Sequence, residues 1–250
     1  MRPRQVCAVV FAVCVAASAV GAQDSPAMFI AGTYYRCDMA SEDRADAVYE
    51  ETIAPIVQKQ VDAGKLVSAG YARHWMGGEW RRLEYMGATS LAALVEARQA
   101  IIGELTGAAS KAAKEFDAVC PSHDDYIWTS VASSQAPEVI ARERAKVAMS
   151  TYFVCDGREK EADAIVKSAF APVLNAHVKD GKIASWNWMQ HLVGGEYRRI
   201  LVIDGADHTS ILEYWNAFST ALDEAQPELA QRFTDICDSH TDYVWDLGTK

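Results

Sequence analysis

After its first two dozen residues this 250-residue chain has no apolar run long enough to cross a bilayer, which takes roughly 20 apolar residues in a helix. It is also short of positive charge, with 24 Lys and Arg against 34 Asp and Glu. That balance repels phosphate backbones and anionic lipid, so nucleic acid is excluded as a partner. There is no Gly-x-Ser-x-Gly elbow, no glycine-rich phosphate loop and no Cys-x-x-Cys pair. Those absences remove the hydrolase-elbow, nucleotide-binding and thioredoxin-like readings.

What is present begins with an address. Met1–Gln5 is basic, Val6 to Val20 is apolar, and Val20 and Ala22 are the small residues of a cleavage site before Gln23. This is the layout of a signal peptide over residues 1–22, and it predicts a secreted or periplasmic protein. Cleavage leaves 22 basic against 34 acidic residues, a net charge of −12. It also removes Cys7 and Cys14, leaving Cys37, Cys120, Cys155 and Cys237 in a compartment where disulfides persist.

The chain spells one hexapeptide twice: Gly77-Gly-Glu-Trp-Arg-Arg82 and Gly194-Gly-Glu-Tyr-Arg-Arg199, 117 positions apart. The same offset aligns Ala54-Pro55 with Ala171-Pro172, Gly64-Lys65 with Gly181-Lys182, and His74 with His191. It also aligns Cys120, His123, Asp125, Tyr126 and Trp128 with Cys237, His240, Asp242, Tyr243 and Trp245. Thr33-Tyr34 and Cys37-Asp38 match Thr151-Tyr152 and Cys155-Asp156 with one residue of slippage, and the second copy carries extra residues from Asp204 to His208. The reading is an internal duplication with units at 30–130 and 148–250, joined by a linker at 131–147.

Each copy reads β-α-β-β-α-β, the split βαβ pattern of a ferredoxin-like unit. A long helix should be kinked or split at Pro55 and Pro172 and closed by Gly64 and Gly181. The Gly-Gly pairs should make hairpin turns. In such a unit the last strand lies beside the first. Cys37 ends one and Cys120 precedes the other, so the expected disulfides are Cys37–Cys120 and Cys155–Cys237. Each unit leaves one sheet face bare, and two units can bury those faces together. The tandem units with their Gly-Gly hairpins resemble the dimeric α+β barrel superfamily, which includes antibiotic-biosynthesis monooxygenase-like and NIPSNAP-like proteins. The fold class expected is α+β: tandem ferredoxin-like units forming one pseudo-two-fold barrel, closed within a monomer.

On the second strand of each copy, one face carries Tyr71, Arg73 and Trp75, or Trp186, Trp188 and Gln190. The other carries small residues and is expected under the helices. The aromatic face is therefore expected to look into the barrel and to bind a ligand, with Arg73 selecting a small, largely apolar, weakly acidic molecule. Glu–Arg or Asp–Arg bridges are the alternative use of the repeated arginines. His74, His191 and the His-x-Asp pairs at His123 and His240 are open to structural or acid–base roles. No metal set is assigned, and the sequence names no cofactor. Three functions stay open: a ligand-binding barrel, a cofactor-free or haem-using oxidoreductase on the same scaffold, and a structural or partner-binding module with a filled barrel.

Overall fold

The computed structural model describes residues 28–134 and 145–247. The expected leader at 1–22 and most of the expected linker lie outside the described residues. The first half runs β1 (Phe29–Arg36), α1 (Glu42–Val48), α2 (Ala54–Asp62), β2 (Ser68–Gly77), β3 (Arg82–Ala88), α3 (Leu91–Thr106), α4 (Ser110–Val119) and β4 (Ser122–Ser133). The second runs β5 (Val147–Val154), α5 (Glu159–Ile165), α6 (Ala171–Lys179), β6 (Ser185–Val193), β7 (Arg199–Gly205), α7 (His208–Ala225), α8 (Pro227–Ile236) and β8 (Ser239–Asp246). Strand β4 continues through Ser133, which pairs with Asn187, so the expected linker begins three residues later than its sequence suggested.

Local chemistry explains the breaks. Pro55 and Pro172 have no N–H to offer the carbonyl four residues back. In both places a π-helical turn, Tyr49–Ile53 or Val166–Phe170, precedes the proline and joins α1 to α2 and α5 to α6. Gly64 and Gly181 then stop the helices at φ of 70° and 71°. The longest helices start at side-chain caps: Ser90 Oγ accepts from the Ala93 amide at 3.2 Å, and Asp207 Oδ1 from the Ser210 amide at 2.9 Å.

The eight strands close an antiparallel barrel in the order β1-β3-β2-β8-β5-β7-β6-β4. Within each half the last strand pairs with the first, β4 with β1 and β8 with β5. Two seams, β2 with β8 and β4 with β6, join the halves. Disulfides Cys37–Cys120 and Cys155–Cys237 tie the end of each half's first strand to the start of its last. Buried side chains form three clusters: one between sheet and helices in each half, and an aromatic one inside the barrel.

Candidate functional site

The hexapeptides stand at one end of the barrel, and each of their residues has a local task. Gly77, at φ 114°, passes so close to the Asp242 carbonyl that a side chain would collide with it. Next to it, the Tyr243 hydroxyl accepts from the amides of Glu79 at 2.9 Å and Trp80 at 3.3 Å. Gly194 is left bare in the same way against the Tyr126 ring. Trp80 turns inward and stacks on Tyr34 at 4.4 Å and Tyr243 at 4.9 Å, plugging that end.

The arginines turn outward to carboxylates of the helices. Arg82 pairs with Asp46 at 2.6 Å, Arg199 with Asp163 at 2.8 Å, Arg81 with Glu42 and Arg198 with Glu159. Burial opposes the charge on Asp46, but the Arg82 guanidinium overrides it and holds that carboxyl below the usual range. These are ion pairs that fix hairpin to helix, the alternative weighed for the arginines above.

The second strands face the opposite way from the sequence expectation. The Tyr71 hydroxyl donates to Asp46 at 3.0 Å, and its ring stacks on Tyr49 at 3.8 Å. Arg73 reaches Asp46 and Glu50. Trp186 Nε1 donates to Asn175 at 2.9 Å and Trp188 Nε1 to Asp163 at 2.8 Å. All four therefore bond on the helix side, while Trp186 also borders the barrel cavity as expected. Trp75 is half exposed, with its ring against His208, and Gln190 is exposed. The physical reason is the size of what fills the barrel. Rings from neighbouring strands need small residues beside them: the Tyr85 hydroxyl lies where a side chain on Gly70 would stand. The polar tips of the larger residues find partners only on the helix side.

The inward faces instead carry Tyr34, Trp128, Tyr152 and Trp245, and they surround a cavity of about 380 Å³. It opens at the end away from the hairpins, where Ser68, Ser133, Ser185, Asn187 and Asp204 line it. Its volume lies near the small end of the range for ligand pockets, roughly 300–1,000 Å³. Trp128 Nε1 donates to the Tyr34 hydroxyl at 3.1 Å. Trp245 Nε1, fully buried, has no partner among the described residues. The Tyr152 hydroxyl lies beside Tyr34 and Ser150 but aligns a hydrogen bond with neither. Burial pushes the Tyr34 and Tyr152 phenols well up.

Asp204 is the cavity's carboxylate. Burial raises it to about 6, against the pull of the Ser185 hydroxyl, which donates to Oδ2. No arginine, lysine or histidine is among the described lining residues.

The histidines serve the hairpins and outer surface. His74 Nε2 meets the Gly77 carbonyl at 3.2 Å and its Nδ1 meets Arg81, while His191 meets Arg198. Burial, then the neighbouring arginine, lowers the pKa of both. His123 lies 3.4 Å from Asp125 and His240 3.5 Å from Asp242, all well exposed. Among the described residues, no three His, Cys, Asp or Glu side chains converge on one point.

No family model matches the chain, and no curated protein matches it in sequence. Solved structures match it in shape. An anthrone oxidase-like protein superposes with a TM-score of 0.58 at 11% identity, covering 90% of this chain and 93% of the other. A chlorite dismutase from Candidatus Nitrospira defluvii gives 0.56 at 11% identity, over 90% and 92%. A candidate monooxygenase from Lactobacillus acidophilus NCFM gives 0.55 at 8% identity, over 88% and 93%. These likenesses show a shared fold, a closed antiparallel barrel carrying helices on its outside, here with all eight strands supplied by one chain.

Proposed function

We propose that the protein is an exported small-molecule-binding barrel. In this reading two tandem ferredoxin-like units are related by a pseudo-two-fold axis, and the ligand occupies the barrel cavity, which of the second-strand residues favoured by the sequence takes in only Trp186. The observation that carries it is an aromatic-lined cavity of about 380 Å³ that opens at one end of the barrel past Ser68, Ser133, Ser185, Asn187 and Asp204. An apolar space with a few polar groups at its mouth is what small-molecule pockets present. The acidic group expected on the ligand loses its support, because Arg73 is engaged by Asp46 and Glu50 outside the barrel. Since one chain closes the barrel, the protein works as a monomer, and light scattering giving twice the chain mass would argue against that.

A cofactor-free oxidoreductase is the second reading, favoured by likeness to oxidase-like and monooxygenase-like structures. Haem fits the cavity poorly. Haem iron takes its protein ligand from His, Cys, Tyr or a Met–His pair. Among the described residues no histidine or thiol lines this space, and of its three phenols burial keeps those of Tyr34 and Tyr152 protonated, leaving Tyr85 alone as a candidate ligand.

The test is native mass spectrometry of the exported protein, gently purified, beside Ser150→Phe, which fills the cavity with a ring. Extra mass on the wild type that the variant lacks supports binding. No bound species, together with no thermal shift from any member of a library of small aromatic compounds, leaves a filled structural barrel as the better description.

A further inference from the structure

We propose that the barrel cavity selects an organic amine: a small molecule with an apolar body and one protonated nitrogen, held over Ala148 between Asp204 and Trp245. The inference rests on the cavity being the binding site.

Strand β5 runs between β7 and β8, and Asp204, Ala148 and Trp245 stand in one row across the three. The corresponding row of the first half is Gly87, Ile30 and Trp128. Opposite the outer residue of each row stands a serine, Ser185 facing Asp204 and Ser68 facing Gly87. The two halves therefore keep the tryptophan and the serine and differ in the other two places. Isoleucine has become alanine, which opens space over the strand. Glycine has become aspartate, which puts a carboxylate beside that space. The first half closes its part of the barrel with glycine at this position, so the fold itself does not require a carboxylate there.

The carboxylate is unusual in its company. Asp46, Asp163, Glu42 and Glu159 each meet an arginine. Asp204 meets only the Ser185 hydroxyl, at Oδ2, and no other described side chain bonds to it. Asp204 is half-buried at the cavity mouth, and a carboxylate partly shielded from water without a cation is relieved by one brought in with a ligand. An ammonium has three N–H donors. Asp204 takes one, and the hydroxyls of Ser133 and Ser185 and the amide oxygen of Asn187 line the same end of the cavity for the others. The ring of Trp245, wholly buried and stacked on Tyr243, forms the wall behind Ala148. Tyr34, Tyr152 and Trp128 then receive the apolar body. An acidic ligand would set a second negative charge against Asp204 in a poorly solvated space, so the cavity rejects it.

The experiment is calorimetric titration at pH 7.5 with three matched probes: 2-phenylethylamine, 2-phenylethanol and 3-phenylpropanoate. On the wild type the amine should bind about tenfold or more tightly than the alcohol, because hydrogen bonds to charged groups are the stronger kind, and the acid should not bind. Asp204→Asn keeps the shape and a partner for Ser185, and it should remove the amine's advantage while leaving the alcohol unchanged. Ala148→Ile, which restores the first half's residue, should block the amine. Equal binding of amine and alcohol by the wild type overturns the inference while leaving the cavity as a binding site, and that comparison needs no variant to fold. Binding of none of the three overturns the inference and counts against the cavity reading as well.

Discussion

Trp128 donates its indole N–H to the Tyr34 hydroxyl at 3.1 Å, while Trp245, at the matching place in the other half, donates to nothing among the described residues. The same residue types thus satisfy each other in one half and wait in the other. Trp128→Phe should destabilise the protein by about 1 kcal/mol more than Trp245→Phe, since the first loses a made hydrogen bond and the second removes an unmade one. Urea unfolding of the two variants measures the difference. Equal losses would mean that the Trp128 bond contributes nothing.

Asp46 accepts from Arg82 twice, from Arg73 and from Tyr71. Replacing it with alanine leaves the buried Arg82, whose side chain is 4% exposed, with Glu42 as its remaining carboxylate, 3.1 Å from the other end of the guanidinium. The expected cost is about 3–5 kcal/mol. The double variant Asp46→Ala with Arg82→Met should recover much of it, because the guanidinium charge leaves as well. A double variant no better than the single would contradict this account.

Glu84 lies buried beneath the helices of the first half, with the Tyr49 phenol donating to it at 3.3 Å. Burial raises its carboxyl to about 7, and the phenols of Tyr49 and Tyr35 pull the other way. An acid with a raised folded pKa contributes most below its unfolded pKa, and that contribution fades as pH rises through the folded value. Stability from this group should therefore fall between about pH 4.5 and pH 7. Glu84→Gln should be more stable than wild type at pH 8, by on the order of 1–3 kcal/mol, and lose that gain at pH 4.5. Denaturant curves at the two pH values decide it, and a gain that does not change with pH would refute the cause given.

The disulfides join residues 83 and 82 positions apart. Removing either pair by double serine substitution should cost about 4–5 kcal/mol on the chain-entropy account. Non-reducing peptide mapping should return Cys37 with Cys120 and Cys155 with Cys237. A cross-half link would contradict the fold.

The strand and helix order, the proline breaks, the glycine stops and both disulfides were legible because each depends on local chemistry or on two points the pattern brings together. The facing of β2 and β6 was not. Period two separates the faces of a strand without saying which one is inside. Small residues such as Gly70 and Ala72 fit beneath a close helix and equally beside a large ring, and here Tyr85 and its neighbours decide. The inward rings were visible as the repeated Tyr126-Ile-Trp128 and Tyr243-Val-Trp245, yet they carried no sign of what they faced. Asp204 announced itself only as the start of a departure from the repeat, and its meaning needed the register against Ser185.

The two seams set the order in which the chain can finish folding. The β4–β6 seam pairs Trp128 with His191, 63 positions apart, whereas the β2–β8 seam pairs Arg73 with Asp246, 173 positions apart. Loop closure grows costlier with length, and pairing between distant segments slows folding. The β2–β8 seam therefore forms last, and until it does β2 and β8 are open edges with unsatisfied backbone groups. A second nascent chain offers those edges the same partners. Crowded refolding thus favours exchanged dimers, while dilute refolding favours closure of each barrel on itself.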